Sequence, residues 1–244
     1  MTAAPKPLAV ARVSAIVPAY NEEETLADVL SVLRQIDLVD EILVVSDGST
    51  DRTVEIAGKL AVKAIHLRTN RGKGTALAVG VEHASAPILV FVDGDILNLS
   101  DYLLRRLIEP VVEGRAAMNI GIRSRGWLVD AIHRRTGPLL SGIRCLERRI
   151  FEAVPDDYLA GYRVEAAMNW TCQELGGRCT TTVLYGLKHR VKEKKLGFRE
   201  GLRSRLRMFW SVLCAFVSLH IRQPRLRVAD TPPLATTELE YTNF

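Results

Sequence analysis

The chain has 244 residues, 48% of them hydrophobic and 25% charged, which is enough for a buried core and excludes a disordered or low-complexity protein. Its net charge of +5 favours an anionic partner: a nucleotide diphosphate, a phosphorylated molecule, nucleic acid or an acidic membrane. No segment reaches the length of a membrane span, and Met1 to Arg12 lacks the apolar stretch of a secretory signal, so the expectation is a cytoplasmic protein.

Val13 to Pro18 predicts a first strand, ended by proline. Asn21 is then expected to cap a helix, with Glu24 three residues on, that runs to about Gln35 with Leu26, Val29, Leu30 and Leu33 on one face. Glu41 to Val45 predicts a second strand, Ser46 to Ser49 a turn, and Thr50 to Leu60 a second helix. Ala64 to Leu67 reads as a third strand and Asn70 to Gly74 as a loop, followed by an alanine-rich helix to about Ala84. Pro87 to Val92 predicts a fourth, buried strand. Strand and helix alternate four times, which argues for an α/β fold with a mostly parallel sheet and helices on both faces. Cys145, Cys172, Cys179 and Cys214 form no CxxC pair and read as reduced, structural residues.

Asp93-Gly94-Asp95 follows the fourth strand directly. Two carboxylates at the C-terminal end of a parallel strand are hard oxygen ligands of the kind Mg²⁺ and Mn²⁺ take together with substrate phosphates. Open α/β sheets also bind their ligands at that edge. A lone D-x-D is more often a solvated turn. Here, however, every predicted strand end carries a polar or glycine cluster: residues 18–22, 47–49, 72–74 and 93–95. In a parallel sheet these clusters converge on one crevice. The Gly72-Lys73-Gly74 loop lacks the Walker spacing, and no G-x-G-x-x-G follows the first strand, so neither a P-loop nor a dinucleotide fingerprint is present.

Together, Pro-Ala-Tyr-Asn-Glu at 18–22, Val-Val-Ser-Asp-Gly-Ser-Thr-Asp at 44–51, Arg-Gly-Lys-Gly-Thr-Ala-Leu at 71–77 and Phe-Val-Asp-Gly-Asp at 91–95 closely resemble family-2 glycosyltransferases of the GT-A fold. The resemblance runs from about Val13 to Gly197. Its later part is looser: Ser141-Gly142-Ile143-Arg144, Gly161-Tyr162-Arg163-Val164-Glu165, His189-Arg190 and Lys195-Leu196-Gly197. It is similar to the polyprenyl-phosphate sugar transferases of the dolichol-phosphate mannose synthase type and to glucosyl-3-phosphoglycerate synthase. The resemblance implies that Pro18, Ala19, Tyr20 and Glu22 line a base and ribose pocket and that Asp47 contacts the base. It implies that Lys73 meets base or phosphates, and that Asp93, beside Gly94, meets ribose and the water shell of a metal. Asp95 would ligate Mg²⁺ or Mn²⁺ and so serve catalysis, His189 would complete the metal shell, and Glu165 would be the base or the carboxylate that orients the sugar. Ser46 stands where the family commonly has a first aspartate, and Gly94 where it has alanine or serine.

Arginines crowd the segment after the metal motif: Arg123, Arg125, Arg134, Arg135, Arg144, Arg148 and Arg149. They favour a phosphorylated acceptor, with Arg123 and Arg144 as the expected phosphate ligands. The basic stretch has no aromatic interleaving, so nucleic acid is not expected as a partner. Trp127 and Trp170 read as core. The expected organisation is a GT-A domain over 13–200, an apolar or amphipathic helix over 201–223 and a flexible tail over 224–244. Met208 to Leu219 is apolar and flanked by arginines. Three roles stay open for it: a peripheral contact with the inner face of the cell membrane, a core helix, or a homodimer contact. The expected reaction is sugar transfer from a nucleotide-diphosphate donor to a phosphate-bearing acceptor. Polyprenyl phosphate is the first choice of acceptor and a soluble 3-phosphoglycerate the second, with a non-catalytic nucleotide-sugar-binding module as the alternative from another class.

Overall fold

The computed structural model describes residues 12–124, 126, 141–161, 163–190, 210, 214–215, 217–227 and 241–243. Three βα units and a fourth strand open the described chain. Strands β1 (Val13–Ala19), β2 (Glu41–Asp47), β3 (Lys63–Leu67) and β4 (Ile88–Phe91) are separated by helices α1 (Leu26–Leu33), α2 (Thr53–Lys59) and α3 (Lys73–His83). They pair in parallel in the order β3-β2-β1-β4. The chain therefore builds outward from β1 to β3, and α3 carries it back across to β4 on the other side of β1. That reversal opens a crevice at the C-terminal ends of β1 and β4, the switch point where doubly wound sheets bind ligands.

The sheet continues through β7 (Arg144–Glu147), β6 (Met118–Arg123) and β8 (Cys179–Leu184). β7 lies antiparallel to both β4 and β6, and β8 runs parallel to β6. Helices α4 (Asp101–Val112), α5 (Arg148–Glu152) and α6 (Arg163–Glu174) join these strands. A separate ribbon pairs β5 (Ile96–Leu97) antiparallel with β9 (Lys188–His189). β10 (Tyr241–Asn243) adds antiparallel to β3 at the far edge.

Period-two alternation sorts the strand side chains between two cores. Ile16, Leu43, Val45, Leu89 and Phe91 face one side and pack against α3, α5 and α6. Ala15, Val17, Val44, Ile88 and Val90 face the other and pack against α1, α2 and α4. The alanine-rich composition of α3 is a packing requirement. Residues 74–81 of α3 are all buried, and a Cβ at Gly80 would stand 2.4 Å from Ile16 Cγ2. Only small residues let the helix lie that close to β1.

The first helix begins later than expected. Asn21 has φ +56° and is not its cap; its Oδ1 accepts from the Thr50 amide at 2.8 Å. Helix α1 starts at Leu26, with Thr25 as N-cap. The residues between have tertiary duties that outweigh local capping: the Glu22 amide donates to Thr53 Oγ1 and the Glu23 amide to Asp51.

Of the segment 224–244, residues 224–227 and 241–243 are described. Arg227 is tied to the carbonyls of Ala153 and Glu152 and to Asp156, and Tyr241–Asn243 is a sheet strand. Arg125, Trp127, Arg134, Arg135, Pro138 to Leu140, Tyr162 and Lys195 to Gly197 lie outside the described residues. Trp170 is core, as expected. Among the described residues, no helix is long and apolar enough to cross a membrane.

Candidate active site

The four strand-end clusters meet, as their spacing required. A cavity of about 400 Å³ is lined by Pro18, Ala19, Tyr20, Glu22, Asp47, Asn70, Gly72, Lys73, Ala76, Asp93, Gly94, Asp95, Gly161 and His189. Its floor is sewn together by short-range bonds between loops that are distant in sequence. Thr25 Oγ1 donates to the Gly94 carbonyl at 2.7 Å, and the Asn21 amide to Ser49 Oγ at 3.1 Å. Asp47 is buried, and its two oxygens accept the Arg71 and Gly72 amides at 2.7 and 2.8 Å. Burial raises its pKa against the pull of those amides. Asp47 therefore shapes the 70–73 loop while keeping a free lone pair on each oxygen for a ligand.

Asp93, Asp95 and His189 each offer a ligand atom, and these atoms lie within 4.8 Å of one another. His189 is 94 residues from Asp95 in the chain and is delivered by the β5–β9 ribbon, where it pairs with Ile96, the neighbour of Asp95. The Arg190 amide holds the Asp95 carbonyl at 2.9 Å. His189 Nδ1 and Asp95 Oδ1 are 3.2 Å apart. That hydrogen bond raises the imidazole pKa. Burial and the positive charge of Arg123 oppose it, and the charges of Asp95 and Asp93 reinforce it. Two carboxylates and one imidazole make a mixed oxygen–nitrogen set that suits Mn²⁺ and, with waters and phosphates supplied, Mg²⁺.

Behind the triad sits a second charged cluster. Lys73 opens α3, and its ammonium lies 2.6 Å from Asp93 Oδ1 and 3.1 Å from Glu165 Oε1. Burial alone would lower its pKa, but the two carboxylates outweigh burial and hold the ammonium well above the usual lysine range. Glu165 stands in the first turn of α6, only 4% exposed. Gly142 closes the cluster: a Cβ there would stand 1.9 Å from Lys73 Nζ and 2.3 Å from Asp93 Oδ2. A side chain at that position would displace the Lys73 ammonium or the Asp93 carboxylate.

One expected ligand is corrected. Arg144 is fully buried and does not face an acceptor. Its guanidinium donates to the Ser141 carbonyl at 2.6 Å, the Asn169 amide oxygen at 3.1 Å and the Glu165 carbonyl at 3.2 Å. It fastens the Ser141–Gly142 turn to the helix that presents Glu165. Arg123, by contrast, ends β6 half-buried, near enough to His189 for its charge to be felt there. The sequence reading gave no role to Asn70, Ala76, Gly142 or Gly161. Gly142 and Gly161 stood inside the quoted motifs, where their glycine identity was the available signal.

The profile of the family described as "Glycosyl transferase family 2" matches residues 14–169. An undecaprenyl-phosphate 4-deoxy-4-formamido-L-arabinose transferase of Pseudomonas paraeruginosa is 28% identical over 175 residues, 64% of this chain and 51% of the relative. A poly-beta-1,6-N-acetyl-D-glucosamine synthase of Staphylococcus epidermidis is 30% identical over 144 residues, 56% of this chain and 34% of the relative. The chain thus spans about half or less of the length of these curated relatives. Among solved structures, glucosyl-3-phosphoglycerate synthase from Mycobacterium tuberculosis with Mn²⁺, uridine-diphosphate-glucose and phosphoglyceric acid superposes with a TM-score of 0.70 at 26% identity. That match covers 85% of this chain and 79% of that one. The same enzyme with Mg²⁺ and uridine diphosphate gives 0.70 at 25% identity, with the same coverage.

Proposed function

The chain belongs to glycosyl transferase family 2, and from that premise we propose that it transfers a sugar from a nucleotide-diphosphate sugar to a phosphate-bearing acceptor, with Mg²⁺ or Mn²⁺ held by Asp93, Asp95 and His189. The observation that carries this reading is that the Asp93–Asp95–His189 triad opens on the same cavity as residues 18–22, Asp47 and Lys73. A nucleoside would lie along Pro18 to Glu22 and Asp47, which puts its diphosphate at the triad. The metal, when bound, neutralises charge that develops on the leaving nucleotide. Lys73 adds a fixed positive charge beside it, held by Asp93 and Glu165. Glu165, buried behind Lys73, orients the sugar. A phosphate acceptor is already a nucleophilic anion and needs little help from a base. Structural relatives bound to uridine diphosphate favour a uridine donor.

For the acceptor, polyprenyl phosphate is the first reading, at the cytoplasmic face of the membrane. Named relatives act on undecaprenyl phosphate, and the C-terminal segment exposes the apolar side chains Trp210, Val217 and Ile221. A soluble phosphoglycerate is the second reading, favoured by the fold match to an enzyme crystallised with phosphoglyceric acid. Arg123 is the phosphate ligand in either case.

Thermal unfolding with a panel of UDP- and GDP-sugars, each with and without Mn²⁺, tests the donor half, because a ligand bound only by the native state raises the melting temperature. A metal-dependent rise with one donor is expected. No rise with any donor overturns the proposal.

A further inference from the structure

Strand β9, which carries His189, is only Lys188 and His189, paired with Leu97 and Ile96. Before it, the chain is anchored by Leu187, 2% exposed in the core shared with α1 and α4, and by the Asn98 side-chain amide on the Gly186 carbonyl at 3.2 Å. After it, the anchor is Arg190. The Arg190 amide donates to the Asp95 carbonyl at 2.9 Å, and its guanidinium forms an ion pair with the Glu24 carboxylate. Glu24 belongs to a turn that is itself held firmly. The Thr25 and Leu26 amides donate to the Glu22 carbonyl at 3.1 and 3.0 Å, and the Glu23 amide donates to Asp51 at 3.1 Å. Thr25 Oγ1 donates to the carbonyl of Gly94, between the two metal-motif aspartates, at 2.7 Å. Arg190 therefore ties the residue after His189 both to Asp95 and to the loop that follows β1.

We propose that Arg190 is a positioning residue for the metal site: paired with Glu24, it holds His189 where the imidazole completes the ligand set with Asp93 and Asp95. The inference rests on the metal reading above and adds to it the device that brings the third ligand in. Ligand atoms from all three residues lie within 4.8 Å of one another, and a strand with only two pairing positions fixes an imidazole poorly by itself. Partners that orient metal ligands typically change metal affinity by about 10–100-fold. Arg190 acts one residue away from its ligand, so a smaller factor is expected. The pair is partly solvated, with the Glu24 side chain 59% exposed and that of Arg190 35%, and such pairs add little to global stability. Its effect is therefore local, on the imidazole and not on the fold. An arginine beside a phosphate site is alternatively a phosphate ligand in its own right, and exchanging the two charges separates these roles, because only a positioning pair works in either polarity.

Mn²⁺ titration of the full chain, alone and with UDP present, tests this, with free Mn²⁺ read by electron paramagnetic resonance and the melting temperature of every variant measured beside it. Arg190→Glu and Glu24→Arg should each weaken Mn²⁺ binding about fivefold, a fraction of the effect of partners bonded directly to a ligand, with melting temperatures close to native. The double variant Glu24→Arg/Arg190→Glu restores the pair with its charges exchanged and should bind Mn²⁺ nearly as the native chain does. In a His189→Ala background, Arg190→Glu should cause no further loss, since the ligand it positions is gone. Native affinity in both single variants, a double variant as weak as Arg190→Glu, an undiminished loss in the His189→Ala background, or a fall in melting temperature that tracks the fall in affinity would each overturn the proposal while leaving the metal reading in place. No Mn²⁺ binding by the native chain, or equal binding by His189→Ala, would overturn the role of His189 in the metal reading, and this inference with it.

Discussion

Lys73 and Arg144 are both enclosed cations, yet their surroundings give them different work. Lys73 faces two carboxylates at the cavity wall, whereas Arg144 faces carbonyls and an amide inside the protein. Arg144→Lys should therefore lower stability by about 2–4 kcal/mol, because a single ammonium cannot replace the fork and leaves buried acceptors unmet. Chemical denaturation measures this; an unchanged midpoint would restore Arg144 to the acceptor site. Gly142→Ala should reduce Mn²⁺-dependent UDP affinity by about tenfold or more, since the new methyl displaces Lys73 or Asp93, with roughly 1–3 kcal/mol lost to overpacking. Titration calorimetry reads the affinity. The same titration should show Asp95→Ala losing metal-dependent binding by about 100-fold and His189→Ala by less, because water can take the place of the imidazole but not of the charged oxygen. At this scale the residue types were readable from the sequence, and their direction was not. An arginine after a metal motif reads as a phosphate ligand until the fold shows which way it points.

Among the elements, the parallel strands are fixed at both ends. At the end away from the cavity, Glu41 begins β2 and its carboxylate accepts from Ser14 Oγ on β1 at 2.6 Å and from the Ser85 amide before β4 at 2.8 Å. Burial would raise its pKa. The hydrogen bonds from Ser14 and Ser85 and the charge of Lys63 outweigh burial and hold it below the ordinary value. A lowered folded pKa means that this stabilisation is present above the unfolded pKa and is lost as pH falls through the folded one. Glu41→Gln should therefore cost about 1–2 kcal/mol near neutral pH. The gap to the native protein should close as the solution is acidified, followed by urea denaturation across pH; a gap constant with pH would refute the charge-based account. At the opposite end, the β5–β9 ribbon delivers His189. A ribbon this short has too little periodic sequence to be seen as strand, because its pairing partner is remote in the chain.

At the scale of the whole molecule, the described residues of the C-terminal segment divide between the core and the surface. Ala215 and Leu219 are buried in the core shared with α3, α5 and α6, and Ser218 meets the Tyr158 hydroxyl at 2.7 Å. Trp210, Cys214, Val217 and Ile221, spaced at helical intervals, are exposed, with Arg222 and Arg225 beyond them. An apolar stripe beside arginines suits an anionic bilayer surface. Co-sedimentation with liposomes rich in anionic lipid should show binding that weakens with salt. Trp210→Ser with Ile221→Ser should reduce it several-fold without lowering the melting temperature, since both side chains are exposed. Equal binding by the double variant would remove the membrane role and leave the soluble acceptor as the better reading.

The sequence by itself determined the βα alternation, the four strand-end clusters and, through them, the cavity and its family. These are local patterns, periodicity and turn chemistry, and a parallel sheet forces the strand ends to one edge whatever the details. Tertiary structure alone decided which side chains face that edge. It placed His189 beside Asp95 across 94 residues, turned Arg144 inward and set Gly142 against Lys73. Each of these depends on contacts between segments distant in the chain. Their geometry comes from packing around two cores, and no local pattern encodes it.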